Sequence, residues 1–209
     1  MTHADLRITQ ADCFPVTLEG LIEIDGPRGQ VDAYKIRIEF SRDFPMVPPV
    51  VFDIGQRLPR DIDRHVYSDG HVCLEVWPVW VAQNPGVTAA TVLNGPIRNF
   101  FLSQSYFEAI GDWPFGEYSH GDKGQREALR DAMRADSTAD KDLLWRVYGL
   151  IRPPRRQNAC PCGSRRLYRK CHRAELEAVA QGLSQQGIWL LTEMYVKILE
   201  RAGGGATAA

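Results

Sequence analysis

The stretch His65-Val66-Tyr67-Ser68-Asp69-Gly70-His71-Val72-Cys73-Leu74-Glu75 places a cysteine directly after a tight turn and before an apolar run. Ser68-Asp69-Gly70 predicts the turn, because Asp-Gly favours a sharp reversal of the chain at the surface. A cysteine is a nucleophile only as the thiolate, so a reactive one needs partial exposure and nearby hydrogen-bond donors or positive charge. His65 and His71 flank Cys73 as candidate donors. The alternative is a buried structural cysteine, the ordinary role of a lone cysteine in an intracellular protein.

Alternating apolar and polar residues predict two strands ahead of this stretch. Val16 to Ile24 and Val31 to Phe40 both alternate, and turn residues fill Asp25 to Gly29, so the two segments are expected to form an antiparallel hairpin. Phe44 to Phe52 is expected to add an extended element. Pro48-Pro49 is expected to lie at an edge or before the next strand begins, because proline cannot donate to a strand ladder.

Helical spacing replaces this alternation after the cysteine. Thr88 is a predicted N-cap, and the helical pattern from Val92 to Phe101 is interrupted by Gly95-Pro96, which predicts a kink or two short helices. A further helix is predicted over Ser105 to Ile110, ending at Gly111. Strands followed by helices indicate the α+β class.

Two more helices are predicted over Gln125 to Ala135 and Lys141 to Leu150. The second is expected to carry four residues on one side: Leu143, Leu144, Val147 and Tyr148.

The order of these features resembles that of the ubiquitin-conjugating enzymes over most of the first 120 residues. Phe44-Pro45-Met46-Val47-Pro48-Pro49-Val50-Val51-Phe52 is similar to the family's YPxxPPxVxF segment, and Trp80 and Pro85-Gly86-Val87-Thr88 follow Cys73 in the family's order. The resemblance implies a UBC-like fold, in which an antiparallel meander sheet packs against helices. It also implies that Cys73 carries an acyl group as a thioester and passes it to an amine.

Two departures from the family pattern bear on the mechanism. The family has His-Pro-Asn, with the Asn eight residues before the catalytic cysteine, where this chain has Asp63-Arg64-His65. A histidine can donate a hydrogen bond to the oxyanion that forms when an amine attacks a thioester, or accept a proton from the amine. His65 is therefore a second candidate catalytic residue. Residues 1–13 are too short for the family's long first helix, which contacts the activating enzyme, so the need for such an enzyme stays open.

A second cluster follows the stiff, basic linker Ile151-Arg152-Pro153-Pro154-Arg155-Arg156. Four residues there have the spacing C-x-C-x8-C-H: Cys160, Cys162, Cys171 and His172. Three thiolates and an imidazole complete the tetrahedral ligand set of a structural zinc ion and leave no position open for catalysis. The pattern resembles the SEC-C motif, a small zinc-bound docking module of bacterial proteins. Because so small a module has little core, the metal is expected to supply most of its folding energy.

The linker divides the chain into two predicted domains. Residues 1–150 form the conjugating-enzyme-like domain, and residues 151–209 form the SEC-C zinc module with a C-terminal helix and a flexible tail. The helix is predicted over residues 174–201 with a break near Gly187, and the tail over Gly203 to Ala209.

Composition and charge restrict the function classes. No apolar run is long enough to cross a membrane, and an odd number of cysteines fits a reducing compartment better than a disulfide framework, so we expect a cytoplasmic protein without a membrane partner. Lys141 to Arg173 holds ten Lys or Arg residues against the single Asp142. This stretch suggests an acidic partner surface or nucleic acid, or else a solvated face. Nucleic acid is disfavoured because few aromatic residues lie among the basic ones.

The resemblance also implies partners. Bacterial relatives of this kind lie in antiphage operons, so the expected donor is a protein with a C-terminal carboxylate, either a cGAS-like nucleotidyltransferase or a ubiquitin-like protein, and the expected acceptor is a protein amine. The alternative is a non-catalytic binding module of the same fold, in which Cys73 is packed and the zinc tail recruits a partner. The replaced Asn favours this alternative, whereas a cysteine after an exposed turn favours catalysis.

Overall fold

Four strands form an antiparallel meander. The computed structural model describes residues 5–26, 29–135 and 139–204. The strands, which pair in chain order, are β1 (Arg7–Gln10), β2 (Val16–Gly26), β3 (Gly29–Phe40) and β4 (Val50–Asp53). The α+β class and the β2–β3 hairpin are confirmed, although the predicted tip at residues 27 and 28 lies outside the described residues. The extended element predicted from Phe44 becomes a strand only at Val50, directly after the two prolines that lack ladder donors.

The helices of the described ranges are α1 (Trp77–Gln83), α2 (Ala89–Val92), α3 (Arg98–Ile110), α4 (Gly121–Ala132), α5 (Asp140–Ile151), α6 (Arg173–Gln181) and α7 (Gln185–Gly204). Thr88 caps α2 as predicted, because its hydroxyl accepts from the Thr91 N–H at 3.2 Å. At the predicted interruption, a π-helical turn over Leu93–Ile97 contains Pro96 and connects α2 to α3. The helix is thus widened there. None of the helices in the described ranges combines the length and the apolarity that crossing a membrane requires.

The described residues group into two compact units. The first unit comprises Met1–Trp77 and Val87–Glu117, and its core lies between the sheet and α3. Side chains of strand β3 alternate between the core and the surface. Tyr34, Ile36 and Ile38 are buried, whereas Lys35, between Tyr34 and Ile36, is exposed. The Tyr34 ring lies 4.7 Å from the Phe101 ring of α3, so aromatic packing fixes this helix on the sheet.

The second unit comprises Pro78–Gly86 and Tyr118–Ala209. The predicted break in this helix is confirmed, but it lies at residues 182–184, between α6 and α7, and not at Gly187 itself. The Ser184 hydroxyl accepts from the Gly187 N–H at 2.9 Å and caps α7. Gly187 instead allows a close approach, since a Cβ there would lie 2.0 Å from the Cα of Ala82. The predicted domain division at residue 150 stays a prediction.

Helix α5 buries only two of the four residues predicted on one side. Leu143 and Val147 are buried, whereas Leu144 and Tyr148 are 49% and 55% exposed. Arg146, only 2% exposed, completes the buried stripe. The pattern of apolar residues could not predict this burial, because Arg146 is charged and charged residues are buried only when they are paired.

Candidate active site and metal centre

Cys73 lies in a short antiparallel pair that the predicted turn closes. Val66 pairs with Val72. On either side of this pair, the Tyr67 N–H donates to the His71 carbonyl at 2.9 Å and the Cys73 N–H donates to the His65 carbonyl at 2.8 Å. The pair therefore places Cys73 directly across from His65 on the backbone.

The pairing sorts the turn's side chains onto two faces. Val66 and Val72 are 2% and 5% exposed and fill the core. Tyr67, His71 and Cys73 alternate with them and are partly exposed. Cys73 is thus a half-buried free thiol, which is the exposure a reactive cysteine needs.

Hydrogen bonds anchor the turn on both sides. Toward the sheet, the Val72 N–H donates to the Val51 carbonyl of β4 at 2.8 Å. Toward α3, the Arg64 guanidinium donates to the Gln104 side chain at 2.8 and 3.0 Å, and the Gln104 amide donates to the Arg64 carbonyl at 2.8 Å. Gln104 is fully buried. Sequence reasoning missed it, although a glutamine on the buried face of a helix signals a polar partner.

His65 is held by the loop that follows α3. Its Nε2 lies 3.1 Å from Oε1 of Glu117, and its ring centroid lies 5.2 Å from that of Trp113, edge to face. The backbone of His65 is left-handed, with φ of 54°, where it ends the 3-10 turn Ile62–Arg64. The site therefore contains a histidine–carboxylate pair beside an indole. Sequence reasoning singled out His65 but missed Glu117, which is distant in the chain.

Tyr67, Asp69 and His71 form a second polar group on the face of Cys73. His71 Nδ1 lies 2.6 Å from Asp69 Oδ1. The Tyr67 ring stacks on the His71 ring with centroids 4.1 Å apart and planes 17° from parallel. Burial first, and then the charge and hydrogen bonding of Cys73, raise the pKa of Tyr67 to about 12. Sequence reasoning used His71 as a flanking donor and gave no role to Tyr67.

The four predicted metal ligands come together in the second unit. Cys160 Sγ lies 3.4 Å from His172 Nδ1, Cys171 Sγ lies 3.3 Å from the same nitrogen, and Cys162 Sγ lies 3.7 Å from Cys171 Sγ. All four ligand atoms lie within 4.8 Å of one another. Ligands at about 2.0 to 2.3 Å around a tetrahedral zinc ion are roughly 3.5 to 3.8 Å apart, so these residues could hold such an ion.

Local contacts prepare the thiols for a metal. The Cys160 N–H donates to the Arg166 carbonyl at 2.8 Å, which closes the loop between the two ligand pairs. Burial opposes ionisation of Cys162, but hydrogen bonds, first from Ser164 and then from Cys160 and Cys171, lower the pKa of Cys162 to about 6. Burial raises the pKa of the neighbouring Cys160 to about 11, so Cys162 ionises first of the two. A metal ion would bind both as thiolates.

An ion pair between the buried Arg146 and the partly exposed Glu175 lies beside the histidine ligand. Nε2 of His172 is 3.8 Å from Oε2 of Glu175, whose Oε1 lies 2.5 Å from Nη1 of Arg146. A carboxylate hydrogen-bonded to the free nitrogen of a ligating histidine fixes its tautomer and orientation, and Glu175 lies beside that nitrogen at a distance too long for a direct hydrogen bond. Sequence reasoning missed both Glu175 and Arg146.

Comparison with known proteins finds two similarities. The SEC-C motif matches residues 158–174, a range that includes all four candidate metal ligands, so the predicted SEC-C resemblance is confirmed. The other similarity is to ubiquitin-conjugating enzymes and covers part of the chain.

Three relatives define that second similarity. "Probable ubiquitin-conjugating enzyme E2 W" of Dictyostelium discoideum is 31% identical over 98 residues, which cover 42% of this chain and 61% of that protein. "Probable ubiquitin-conjugating enzyme E2 16" of Arabidopsis thaliana is 28% identical over 75 residues, 34% of this chain and 44% of that protein. "Probable ubiquitin-conjugating enzyme E2 W-A" of Danio rerio is 33% identical over 61 residues, 28% of this chain and 39% of that protein. The chain thus spans less than two thirds of each relative. No solved structure matches it significantly.

Proposed function

We propose that the protein is a cysteine-dependent acyl carrier and transferase. The half-buried free thiol of Cys73, on the open face of an anchored turn, is the observation that carries the proposal. The partial similarity to ubiquitin-conjugating enzymes supports the same chemistry.

The proposed reaction has two steps. The thiolate of Cys73 attacks the activated C-terminal carbonyl of a donor protein, so that a C–S bond forms and the activating group leaves. An amine of the acceptor protein then attacks the thioester, so that a C–N bond forms, the C–S bond breaks and the Cys73 thiolate leaves. The amine loses one proton during this second step.

His65 is proposed to assist the second step. An imidazole can donate to the oxyanion of the tetrahedral intermediate or accept the proton of the amine. The carboxylate of Glu117, 3.1 Å from Nε2, stabilises an imidazolium and so favours proton acceptance.

The donor and acceptor are proposed to be proteins. Relatives named for ubiquitin conjugation favour a ubiquitin-like donor, and a cGAS-like nucleotidyltransferase is the second candidate. We place this activity in the bacterial cytoplasm, in antiphage defence, with a structural zinc ion on Cys160, Cys162, Cys171 and His172.

A trapping experiment tests the proposal. Intact-mass analysis of the protein, produced together with its candidate donor, should show a hydroxylamine-labile adduct. Cys73→Ser should convert it to a more stable oxyester, because oxygen esters resist amines better than thioesters do. Cys73→Ala should abolish the adduct with little change in the fold, and a thiol-sensitive adduct that persists in this variant would refute the proposal.

The alternative is a non-catalytic binding module. It is favoured by the engagement of the His65 side chain with Glu117 and Trp113, which a purely structural loop contact would also produce. The same trapping experiment separates the two, since a binding module retains its partner in Cys73→Ala and forms no covalent adduct in either protein.

A further inference from the structure

The Asp69–His71 pair is a contact that the proposed acyl transfer leaves unexplained. The ring of His71 is bonded to Asp69 at 2.6 Å, and the same carboxylate oxygen accepts the His71 backbone N–H at 3.2 Å. An exposed histidine ring otherwise changes rotamer within nanoseconds. The two hydrogen bonds to Asp69 therefore hold the His71 ring in one orientation.

The Tyr67 ring stacks on the His71 ring. The two rings are nearly parallel at 4.1 Å, and their residues are also cross-strand neighbours through the Tyr67 N–H to His71 carbonyl bond of 2.9 Å. Cys73 is the diagonal neighbour of Tyr67 on the same face, a separation that an aromatic side chain can span. Burial first, and then Cys73, raise the pKa of Tyr67, in agreement with this neighbourhood.

We propose that Asp69 and His71 are positioning residues that hold the Tyr67 ring so that its hydroxyl donates a hydrogen bond to the sulfur of Cys73. Tyr67 is then a catalytic residue, because it touches the reacting atom. The Tyr67 hydroxyl stabilises the Cys73 thiolate before it attacks the acyl group, and it stabilises the same thiolate again when the thioester is broken. The role in transfer rests on the proposed function, whereas the effect on the free thiol does not.

Alkylation of Cys73 by iodoacetamide tests the contact without any donor protein. The full-length, zinc-loaded protein is used, and peptide mass mapping separates Cys73 from the other cysteines. Tyr67→Phe should slow alkylation about tenfold at neutral pH, because one hydrogen bond to the thiolate is lost, and the rates should converge at alkaline pH. The other nearby titratable groups, Glu75 and the His65–Glu117 pair, stay in every variant. An unchanged pH profile in Tyr67→Phe would overturn the inference.

A double-mutant cycle tests the positioning role. Asp69→Ala should slow alkylation, while Asp69→Asn, which keeps an acceptor for His71, should stay near the wild-type rate. Tyr67→Phe/Asp69→Ala should be no slower than Tyr67→Phe, since Asp69 acts through Tyr67. An equal loss from Asp69→Ala in both backgrounds would show that Asp69 shapes the turn itself and would overturn the role.

The two proposals fail separately. Alkylation profiles as expected, without an acyl adduct on Cys73, would refute the proposed transferase and leave the Tyr67 contact standing.

Discussion

The pair formed by His65 and Glu117 differs chemically from the asparagine of the family pattern. An asparagine amide donates hydrogen bonds and accepts no proton at physiological pH, whereas an imidazole beside a carboxylate can do both. The 3.1 Å separation fixes the ring nitrogen that faces the carboxylate. If this pair acts in transfer, its contribution belongs to the step in which the amine loses a proton.

Replacing His65 should therefore impair transfer more than loading. His65→Ala is expected to reduce single-turnover discharge of a preformed thioester to an amine on the order of a hundredfold or more, with adduct formation little changed. His65→Asn should restore part of the rate if hydrogen-bond donation is the main contribution, and little of it if proton acceptance is. His120→Ala, a change of a loop histidine at the start of α4, serves as the matched control. Unchanged discharge in His65→Ala would remove His65 from the mechanism.

Residue type and spacing carry the parts of both sites that the sequence could predict. Cys73 is predicted because thiol chemistry needs a turn and neighbouring donors, and the four metal ligands are predicted because their spacing is local. Glu117 and Gln104 reach the turn that holds Cys73 from other segments of the chain, through tertiary contacts of 2.8 to 3.1 Å. A single sequence without a fold gives no distance between such segments.

At the scale of elements, Gly182 and Gly187 differ in the space that surrounds them, although the sequence does not distinguish them. Sequence reasoning placed a helix break near Gly187, since glycine weakens helices. In the structure a Cβ at Gly187 would lie 2.0 Å from the Cα and 2.8 Å from the backbone nitrogen of Ala82, atoms that no side-chain rotation can move. A Cβ at Gly182 would meet only ordinary contacts, the nearest at 3.5 Å, and its φ is −82°. The role of Gly187 is therefore decided by its packing against Ala82, which the sequence pattern does not show.

These contacts predict opposite effects for one substitution. Gly187→Ala should lower the free energy of unfolding by about 1 to 3 kcal/mol or more, because the helix must move away from Ala82. Gly182→Ala should be neutral or should raise it by about 0.4 to 1 kcal/mol, because the unfolded chain loses freedom. Urea denaturation of both variants measures the difference. Equal stabilities would contradict the close approach of α7 to Ala82.

At the scale of the whole molecule, the buried cluster around the candidate metal site is small. Its buried members are Cys160, Tyr168 and Leu176, with partly buried Trp145 and Leu150 packed against them. A metal ion on a complete Cys3His set is worth roughly 10 to 16 kcal/mol of apparent binding energy, more than so few side chains can contribute by burial. The stability of residues 158–174 should then depend on the metal, whereas the turn that holds Cys73 is anchored by β4 and α3.

Metal removal should therefore separate the two sites. The purified protein is expected to hold about one zinc ion per chain, and Cys160→Ala/Cys162→Ala should lose it, while Cys13→Ala, a change of an exposed cysteine outside the cluster, should retain it. Loss of zinc should alter the fluorescence of Trp145, whose ring lies 5.5 Å from that of His172, and should lower the thermal midpoint. Iodoacetamide should still label Cys73 at the wild-type rate in the zinc-free variant, because the hydrogen bonds of its turn involve none of the ligands. Near-stoichiometric zinc in Cys160→Ala/Cys162→Ala would refute the ligand assignment, and a changed labelling rate would show that the reactivity of Cys73 depends on the metal.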